Sequence, residues 1–375
     1  MRTISKLHLL VAVLFLIVAL PACSREIGAG GPYGYLNPEF SPDGRLLAFN
    51  LCADGYCDSV IYDIAAQTYT AFVDQEGRRI YSLTFSPDGK RVAFVVSTKG
   101  KWPWQDSTQQ VAVGTPDGKS FRIVTTGDGT KVTPTFWNND SVLFWSEVLV
   151  SGAVGKYKNK QLHIVDASSK GSGMVMPNLM PRKSYPYPQK FKFYGPSAPR
   201  PMGDGDHIVL SDYLFSRSQL SDEKRKEEER KESGTPIDDR VRDEVLMLSR
   251  SKQTVTVLKT GLKNVSSPVV ALGTGQLFFV GRLEQNEGQR GYAYEVYVQD
   301  GEGARRITRL KSYMSDMDVT ADGKTLALVL PSPDWSHWER RGRMNGRLLL
   351  HDIQTDAYRE LNPKDISKVS VHIQN

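Results

Sequence analysis

The feature that most constrains this chain is a short turn motif that recurs along the sequence. The pentapeptide FSPDG occupies residues 40–44 and again residues 85–89, each time between short runs of apolar and aromatic residues. Proline at the second position of a turn and glycine at the fourth are typical of a tight β-turn. Each motif therefore predicts a hairpin, and its recurrence predicts a repeat architecture.

Four less regular copies follow the same pattern. They are PTFWNNDSVLF at 134–144, PMGDGDHIVL at 201–210, PVVALGTGQLFF at 268–279 and MDVTADGKTLAL at 317–328. Aligned on their turns, the six copies have the equivalent anchor residues Phe40, Phe85, Phe136, Met202, Ala271 and Val319. These anchors recur at intervals of about 45 to 70 residues, which accommodates one four-stranded blade plus insertions.

A second strand-like pair follows each copy of the motif. The pairs are 59–64 with 68–73, 110–113 with 121–125, 161–165 with 174–176, 244–248 with 254–258, 295–298 with 304–308, and 347–350 with 358–361. The sequence therefore predicts an all-β protein, a six-bladed β-propeller of four-stranded antiparallel blades over residues 36–375. A β-sandwich would not explain the sixfold recurrence of one turn. An extra strand-like run at 368–374 can pair near Tyr35 or lie on an outer edge.

The phrase FSPDG followed by a basic residue and an apolar strand resembles the propeller repeat of TolB and its relatives. The resemblance covers roughly residues 36 to 365. It implies a propeller, but TolB carries an α/β domain before its propeller, and here a glycine-rich segment precedes the first blade. We therefore expect a TolB-like lipoprotein without that α/β domain, and the resemblance does not by itself imply a role in the Tol–Pal system.

The amino terminus has the pattern of a bacterial lipoprotein signal, which we assign to residues 1–22. Arg2 and Lys6 precede an unbroken apolar run at 9–20, too short for a bilayer span of about twenty residues. Leu-Pro-Ala then precedes Cys23, which we expect to be lipidated. We expect residues 23–35 to form a flexible tether. An ordinary secretory signal with a nearby cysteine is the alternative. Ser24 favours the outer membrane, facing the periplasm.

Two of the three cysteines, Cys52 and Cys57, flank a short turn. In an oxidising envelope, a nearby pair is expected to form a disulfide. A metal-binding or redox pair is the minority interpretation, because the spacing is not Cys-x-x-Cys.

Insertions are predicted between the second and third strands of blades two to six, and all of them emerge at one end of the propeller. They and one long connection between blades are rich in aromatic and basic residues. The predicted partner-binding residues are Trp102, Trp104, Tyr157, Tyr185, Tyr187, Trp335, Trp338, Arg340 and Arg343. Variable loops on a rigid scaffold commonly bind partners, although these aromatic side chains can instead fold back over their own insertions. The mixed-charge insertion at about 216–243 is interpreted as a solvated helix or mobile loop.

The sequence contains none of the catalytic or metal-binding motifs G-x-S-x-G, H-E-x-x-H, Cys-x-x-Cys or the EF-hand pattern. His163 and His351 fall in third strands, which predicts packing. Asp316 and Asp318 share one face of the first strand of blade six, so they face the channel. A metal there is not favoured, because Leu83, Thr84, Pro134 and Thr135 correspond to them in other blades and only Glu39 adds a carboxylate.

The sequence therefore predicts a non-enzymatic, monomeric binding scaffold for an envelope protein, peptide or glycan, with no cofactor and no metal. The alternatives are a polysaccharide lyase or hydrolase with its site at the channel mouth, and a structural lipoprotein without a ligand. The net charge of +6 includes two charges of the signal segment and forms no basic run, so a nucleic-acid partner is not expected.

Overall fold

The computed structural model describes residues 34–53, 56–74, 79–97, 109–127, 130–152, 155–168, 174–175, 197–213, 243–252, 254–262, 264–283, 294–330, 346–361 and 370–373. The regular secondary structure of these residues is β-strand.

The first sheet holds both ends of the described chain. Its strands are β1 (Gly34–Phe40), β2 (Leu46–Ala53), β3 (Tyr56–Asp63), β4 (Thr68–Asp74) and β25 (Ser370–Ile373). The first four strands are antiparallel in chain order, and β25 pairs in parallel with the outer strand β4. The extra carboxyl-terminal run therefore lies on the outer edge of this sheet and not beside Tyr35.

The second sheet joins two successive four-stranded units. They consist of β5 (Arg79–Phe85), β6 (Val92–Ser97), β7 (Gln109–Gly114) and β8 (Phe121–Ile123), followed by β9 (Thr130–Asn138), β10 (Ser141–Gly152), β11 (Gly155–Asp166) and β12 (Met174–Val175). Each unit is antiparallel, and one parallel pair, Gln109 with Thr130, connects them.

Three further four-stranded antiparallel sheets follow in chain order. The strands are β13 (Arg200–Pro201), β14 (His207–Tyr213), β15 (Asp243–Ser249) and β16 (Thr254–Val257), then β17 (Val265–Ala271), β18 (Gln276–Arg282), β19 (Tyr294–Asp300) and β20 (Gly303–Arg306), then β21 (Asp316–Val319), β22 (Thr325–Leu330), β23 (Arg347–Asp352) and β24 (Ala357–Leu361). The expectation of an all-β propeller with four-stranded antiparallel sheets is confirmed.

The Ser-Pro-Asp-Gly turn forms as its residue types require. Ser41 donates its hydroxyl to Asp43 Oδ1 at 2.6 Å and accepts the Leu46 N–H at 2.8 Å. The hydrogen bond from Ser41 is the main reason that the pKa of Asp43 is lowered, and Gly44 takes a φ of 70°, which a side chain would disfavour. This side-chain bridge recurs between Ser86 and Asp88, Thr115 and Asp117, and Thr320 and Asp322. The Thr115 turn connects β7 to β8, a position that the sequence repeat did not predict.

The hydrophobic core is divided into clusters, each of which lies between two neighbouring four-stranded units. Phe49 of β2 packs in one cluster with Val329 of β22 and Leu348 of β23, which joins the first unit to the last. The central strands are apolar on both faces because a neighbouring sheet covers each face; all six residues of β6 are buried.

A buried carboxylate organises the sheet of β17–β20. Glu295 has no exposed surface, and it accepts hydrogen bonds from Arg306 Nη2 at 2.6 Å and Thr308 Oγ1 at 2.6 Å. The backbone N–H groups of Leu310 and Lys311 also donate to it, at 2.9 and 2.7 Å. A buried charge is tolerated when it is paired and hydrogen-bonded in this way.

One predicted insertion has a different structure from the one expected. The insertion predicted for blade three covers residues 150–160, but β10 and β11 continue there as one long hairpin, with paired residues from Ser141 with Asp166 to Gly152 with Gly155. This segment is polar and rich in lysine, so it lacks the alternation of apolar and polar residues from which a strand is predicted.

Candidate functional site

The innermost strands of the sheets present one residue each at the same level. The register shows this, because each of these residues lies opposite the corresponding residue of the second strand. The pairs are Glu39 with Ala48, Thr84 with Ala93, Thr135 with Leu143, Arg200 with Val209, Val269 with Phe278, and Asp318 with Ala327. We call these six inner residues the inner ring.

A β-bulge precedes the inner-ring residue in four of these strands. The bulged residues Asn37, Ser82, Thr133 and Ser267 have φ angles of 50°, 56°, 48° and 49°. Each lies two positions before its inner-ring residue, at the point where the register shifts. A left-handed backbone conformation is energetically unfavourable for a residue other than glycine, and it persists where the surrounding structure holds it. A β-bulge also changes the direction in which nearby side chains point.

Five of the six inner-ring residues, all except Val269, line a cavity of about 330 Å³. Its lining includes the turn residues Ser41, Pro42, Pro87, Asn139, Gly203 and Ala321. The cavity therefore lies at the end of the propeller that carries the Ser-Pro-Asp-Gly turns. The sequence predicts the aromatic insertions at the other end, because they follow the second strand of each blade.

A salt bridge connects inner-ring residues that lie far apart in sequence. Arg200 Nη1 donates to Glu39 Oε2, and the Glu39 Oε1 atom accepts the Thr84 hydroxyl at 2.7 Å. The two charged side chains are only 16% and 14% exposed. Burial opposes the charge of Arg200, but the carboxylates of Glu39, Asp318 and Asp316 outweigh it and raise its pKa.

Two carboxylates of β21 connect the last sheet to the first. Asp316 Oδ2 accepts the Asn37 N–H at 2.7 Å, and Asp318 Oδ2 accepts the Phe40 N–H at 2.6 Å. Burial raises the pKa of Asp316 to about 6, against the effect of Arg200. Burial, followed by the nearby charge of Glu39, raises the pKa of Asp318 well above its usual range.

The remaining polar member of the inner ring is Thr135. It is 6% exposed and lines the cavity, and its Oγ1 atom has no hydrogen-bond partner within the described part of the chain. Trp137 and Leu272 also line the cavity; the Arg250 guanidinium lies 6.0 Å from the Trp137 ring centroid, and Leu272, which is 47% exposed, lies on the rim. The cavity thus combines a mostly apolar wall with a few charged and polar groups, as ligand pockets commonly do.

The structure leaves the predicted partner-binding residues untested. Residues outside the described ranges are Cys23, Trp102, Trp104, Tyr185, Tyr187, Trp335, Trp338, Arg340 and Arg343. For Tyr157, Cys52 and Cys57 the backbone alone is described; Tyr157 pairs with Val150 in the β10–β11 hairpin, and Cys52 pairs with Cys57 across β2 and β3.

The two strand histidines pack as predicted. His163 stacks on Phe144 with 5.3 Å between ring centroids, and burial, followed by the charge of Lys131, lowers its pKa. His351 is buried and stacks on Tyr358 at 4.2 Å. Asp316 and Asp318 were both predicted to face the channel. The prediction is confirmed for Asp318, which lines the cavity, whereas Asp316 accepts the Asn37 N–H of β1.

Sequence reasoning missed Arg200 because the anchor alignment was wrong by one residue in two repeats. Met202 N–H bonds to His207 O as Ser41 N–H bonds to Leu46 O, so Pro201, not Met202, is equivalent to Phe40. Likewise Val270, not Ala271, pairs in the equivalent register. Met202 and His207 are five residues apart, as Ser41 and Leu46 are. Aligning the repeats on this spacing would have placed Arg200 at the position equivalent to Glu39.

The described residues contain neither a membrane-spanning helix nor a cluster of metal-ligating side chains. None of these residues belongs to a helix with the length and apolar composition needed to cross a bilayer. Within the same ranges, no cluster of three or more His, Cys, Asp or Glu side chains is positioned to hold a metal ion.

Comparison with known proteins places the fold and leaves the activity open. No protein-family model and no curated protein sequence matches the chain. Among solved structures, TolB from Acinetobacter baumannii is similar with a TM-score of 0.50 and 14% identity, over 93% of this chain and 67% of that one.

Other similar structures have different activities in their names. An oligogalacturonate lyase in complex with manganese matches with a TM-score of 0.47 and 14% identity, over 87% of this chain and 76% of that one. The β-propeller domain of the Trilobed protease from Pyrococcus furiosus matches with a TM-score of 0.47 and 14% identity, over 88% and 98%. With its four-stranded antiparallel sheets, this chain is a β-propeller similar to that of TolB.

Proposed function

We propose that this protein is a lipid-anchored binding propeller of the bacterial envelope that holds its ligand in the cavity of the inner ring. The observation that carries the proposal is the cavity itself, which is lined by the charged residues Glu39, Arg200 and Asp318 and by Thr135. Binding sites are commonly concave and mostly apolar, with a few convergent polar groups.

The proposal includes a closed ring of six blades. Apolar clusters between successive units support it: one joins Ala48 to Phe94, and further clusters join Ala93 to Phe144, Leu143 to Ile208, Val209 to Phe279, and Val280 to Leu328. The cluster of Phe49 with Val329 then returns to the first unit. The hydrogen bonds from Asn37 and Phe40 to Asp316 and Asp318 lie at the same junction.

The envelope location follows from the amino-terminal sequence. Arg2, Lys6, the apolar run at 9–20 and Cys23 support lipidation at Cys23, with the tether at 23–35 linking the lipid to the propeller. We place the anchor in the outer membrane, facing the periplasm. A Cys23→Ser variant is expected to lose membrane association and lipid labelling; retention of both would contradict this part of the proposal.

Site-specific photo-crosslinking in living cells tests the location of the binding site. A probe at Leu272 is on the cavity rim, and a probe at Glu302, with a side chain 89% exposed, is a matched control on the outer part of the same sheet. We expect a discrete adduct from Leu272 and none from Glu302. A third probe at Trp338 tests the aromatic insertions: an adduct from Trp338 alone would move the binding site to the opposite end, and equal labelling from all three would refute a localised site.

One observation favours an enzyme as the second candidate. Burial and the nearby charge of Glu39 raise the pKa of Asp318, which lines the cavity, and a carboxyl group with a raised pKa in a cavity can act as a general acid. A lyase or hydrolase acting on a polysaccharide is the matching activity. Degradation of envelope glycans by the wild-type protein, lost in Asp318→Asn and kept in Asp322→Asn, would support the enzyme; absence of degradation would leave the binding function preferred.

A further inference from the structure

Several side-chain acceptors in the lining of the cavity are already bonded within the protein. The carboxylate oxygens of Glu39 accept hydrogen bonds from Arg200 and Thr84. The side-chain oxygens of Asn138 and Asn139 accept backbone N–H groups at 2.9 and 3.0 Å. These five residues all line the cavity. A ligand that brings hydrogen-bond donors would therefore find these acceptors occupied.

The side-chain donors in the same lining are in the opposite state. Within the described part of the chain, no acceptor is bonded to Trp137 Nε1, to the Nδ2 atoms of Asn138 and Asn139, or to Nε and Nη2 of Arg200. The unoccupied donor atoms of Trp137, Asn139 and Arg200 keep accessible surface, so a ligand can reach them. The lining therefore offers hydrogen-bond donors to a ligand that brings acceptors.

The charges around Arg200 determine which kind of acceptor suits these donors. Glu39, Asp316 and Asp318 lie close to its guanidinium, and Glu39 is bonded to it. A ligand carboxylate would be placed beside these acidic groups, and like charges that are partly removed from water repel each other strongly. A neutral acceptor, such as a carbonyl oxygen, avoids this repulsion.

The rest of the wall requires a mostly apolar ligand. Phe40, Phe136, Val270 and Val319 line the cavity, and the exposed Leu272 lies on its rim. A volume of about 330 Å³ is at the lower end of the usual range for ligand pockets, so it suits a few residues of an extended chain. An ordinary peptide group would bring an N–H donor into this wall, and a buried donor without an acceptor is unfavourable.

Proline combines the two properties that the cavity requires. An X-Pro peptide group has a carbonyl acceptor but no N–H donor, and the proline ring is apolar. Resting on the binding function proposed above, we infer that the cavity takes a short proline-rich segment of a partner protein. Its backbone carbonyl oxygens accept hydrogen bonds from Trp137, Asn139 and Arg200, and its rings contact the apolar wall. Such segments adopt the polyproline II conformation before they bind, so they lose little conformational entropy on binding.

Fluorescence anisotropy with the full-length protein, purified in detergent, tests this inference. The probes are three fluorescein-labelled peptides of equal length, built from proline, from N-methylglycine or from alanine. Proline and N-methylglycine both lack the backbone N–H, and proline alone also has a fixed φ. We expect the proline peptide to bind about tenfold more tightly than the alanine peptide, with the N-methylglycine peptide between them. Equal affinities of the N-methylglycine and alanine peptides would refute the argument from the missing N–H.

Three variants locate the binding in the cavity. Trp137→Phe keeps an aromatic ring and removes the indole N–H, and Asn139→Asp keeps the acceptor for the Asp88 N–H and removes the Nδ2 donor. Each variant is expected to weaken binding of the proline peptide roughly three- to tenfold, the effect of one hydrogen bond. Gln354→Glu makes the same change from amide to carboxylate on the exposed β23–β24 turn, and we expect it to bind as the wild type does. If Trp137→Phe fails to fold, Asn139→Asp provides the independent test.

The outcomes also separate this inference from the proposed function. Equal affinity for the proline and alanine peptides, or unchanged proline binding in both Trp137→Phe and Asn139→Asp, overturns the proline specificity. Absence of proline binding together with a discrete Leu272 crosslink overturns it as well, while the binding function stands. Tighter binding of an N-acetylglucosamine oligosaccharide than of the proline peptide would overturn it in favour of a glycan. Absence of both proline binding and the crosslink overturns the two proposals together.

Discussion

Removal of the Arg200 guanidinium is expected to destabilise the propeller more than removal of the whole salt bridge. In Arg200→Met, Glu39, Asp316 and Asp318 would remain in one buried site without a positive charge. Breaking a buried ion pair by removing one partner costs roughly 3–5 kcal/mol. Because the Arg200 and Glu39 side chains keep 16% and 14% of their exposure, we expect the lower end, about 3 kcal/mol, a large part of a typical stability of about 5–15 kcal/mol.

The double variant Arg200→Met with Glu39→Gln is the control for this prediction. Glu39→Gln keeps a hydrogen-bond acceptor for Thr84 while it removes a charge from the site. We expect the double variant to recover at least about 1.5 kcal/mol of the loss, because replacing a complete buried pair is often close to neutral.

Urea denaturation, followed by both tryptophan fluorescence and circular dichroism, measures the free energies of unfolding for this cycle. Coincident transitions would justify a two-state analysis. A loss below about 0.5 kcal/mol in Arg200→Met would refute the reasoning, because that is the range of surface substitutions. A double variant less stable than Arg200→Met would refute it too, since relief of carboxylate repulsion is the source of the expected recovery.

Three further predictions concern other parts of the chain. The pKa of Asp316 is raised to about 6, so the native state holds this proton more tightly than the unfolded chain does. The resulting stabilisation is present below about pH 4 and is lost as the pH rises through about 6. Asp316→Asn should remove this part of the pH dependence of the free energy of unfolding, measured by urea denaturation, and an unchanged pH profile would contradict the assignment. Cys52 and Cys57, opposite each other in the β2–β3 register, are expected to form a disulfide, so mass spectrometry after thiol alkylation should detect alkylated products only after reduction. Glu295→Ala should lower the free energy of unfolding by at least about 3 kcal/mol, because it leaves several hydrogen-bond donors without their buried acceptor. Glu302→Ala, at an exposed position, should change it by no more than about 0.5 kcal/mol. Similar thermal unfolding midpoints for the two variants would disprove the role of the buried carboxylate.

Most of the strands could be predicted from the sequence because their signals are local. The turn residues Ser41, Pro42, Asp43 and Gly44 determine a hairpin within a few residues, and the apolar runs beside them determine which segments are buried. The long β10–β11 hairpin was missed, since its polar residues lack the apolar alternation on which strand prediction depends.

The candidate site could be predicted only in part. Asp316 and Asp318 were identified as channel-facing carboxylates because their spacing of two places them on one face of a strand. Arg200 was not identified, because a shift of one residue in the alignment of its repeat moves the side chain to the other face.

By itself, the sequence determined the repeat, the turns and the all-β class, since these depend on interactions between residues close along the chain. Only the tertiary structure decided that Arg200 meets Glu39, 161 positions away, and that Thr135 and Asp318 border the same cavity. The physical reason is that these contacts depend on the register and bulges of separate inner strands and on the packing of each sheet against the next, and each strand's local sequence is compatible with more than one register.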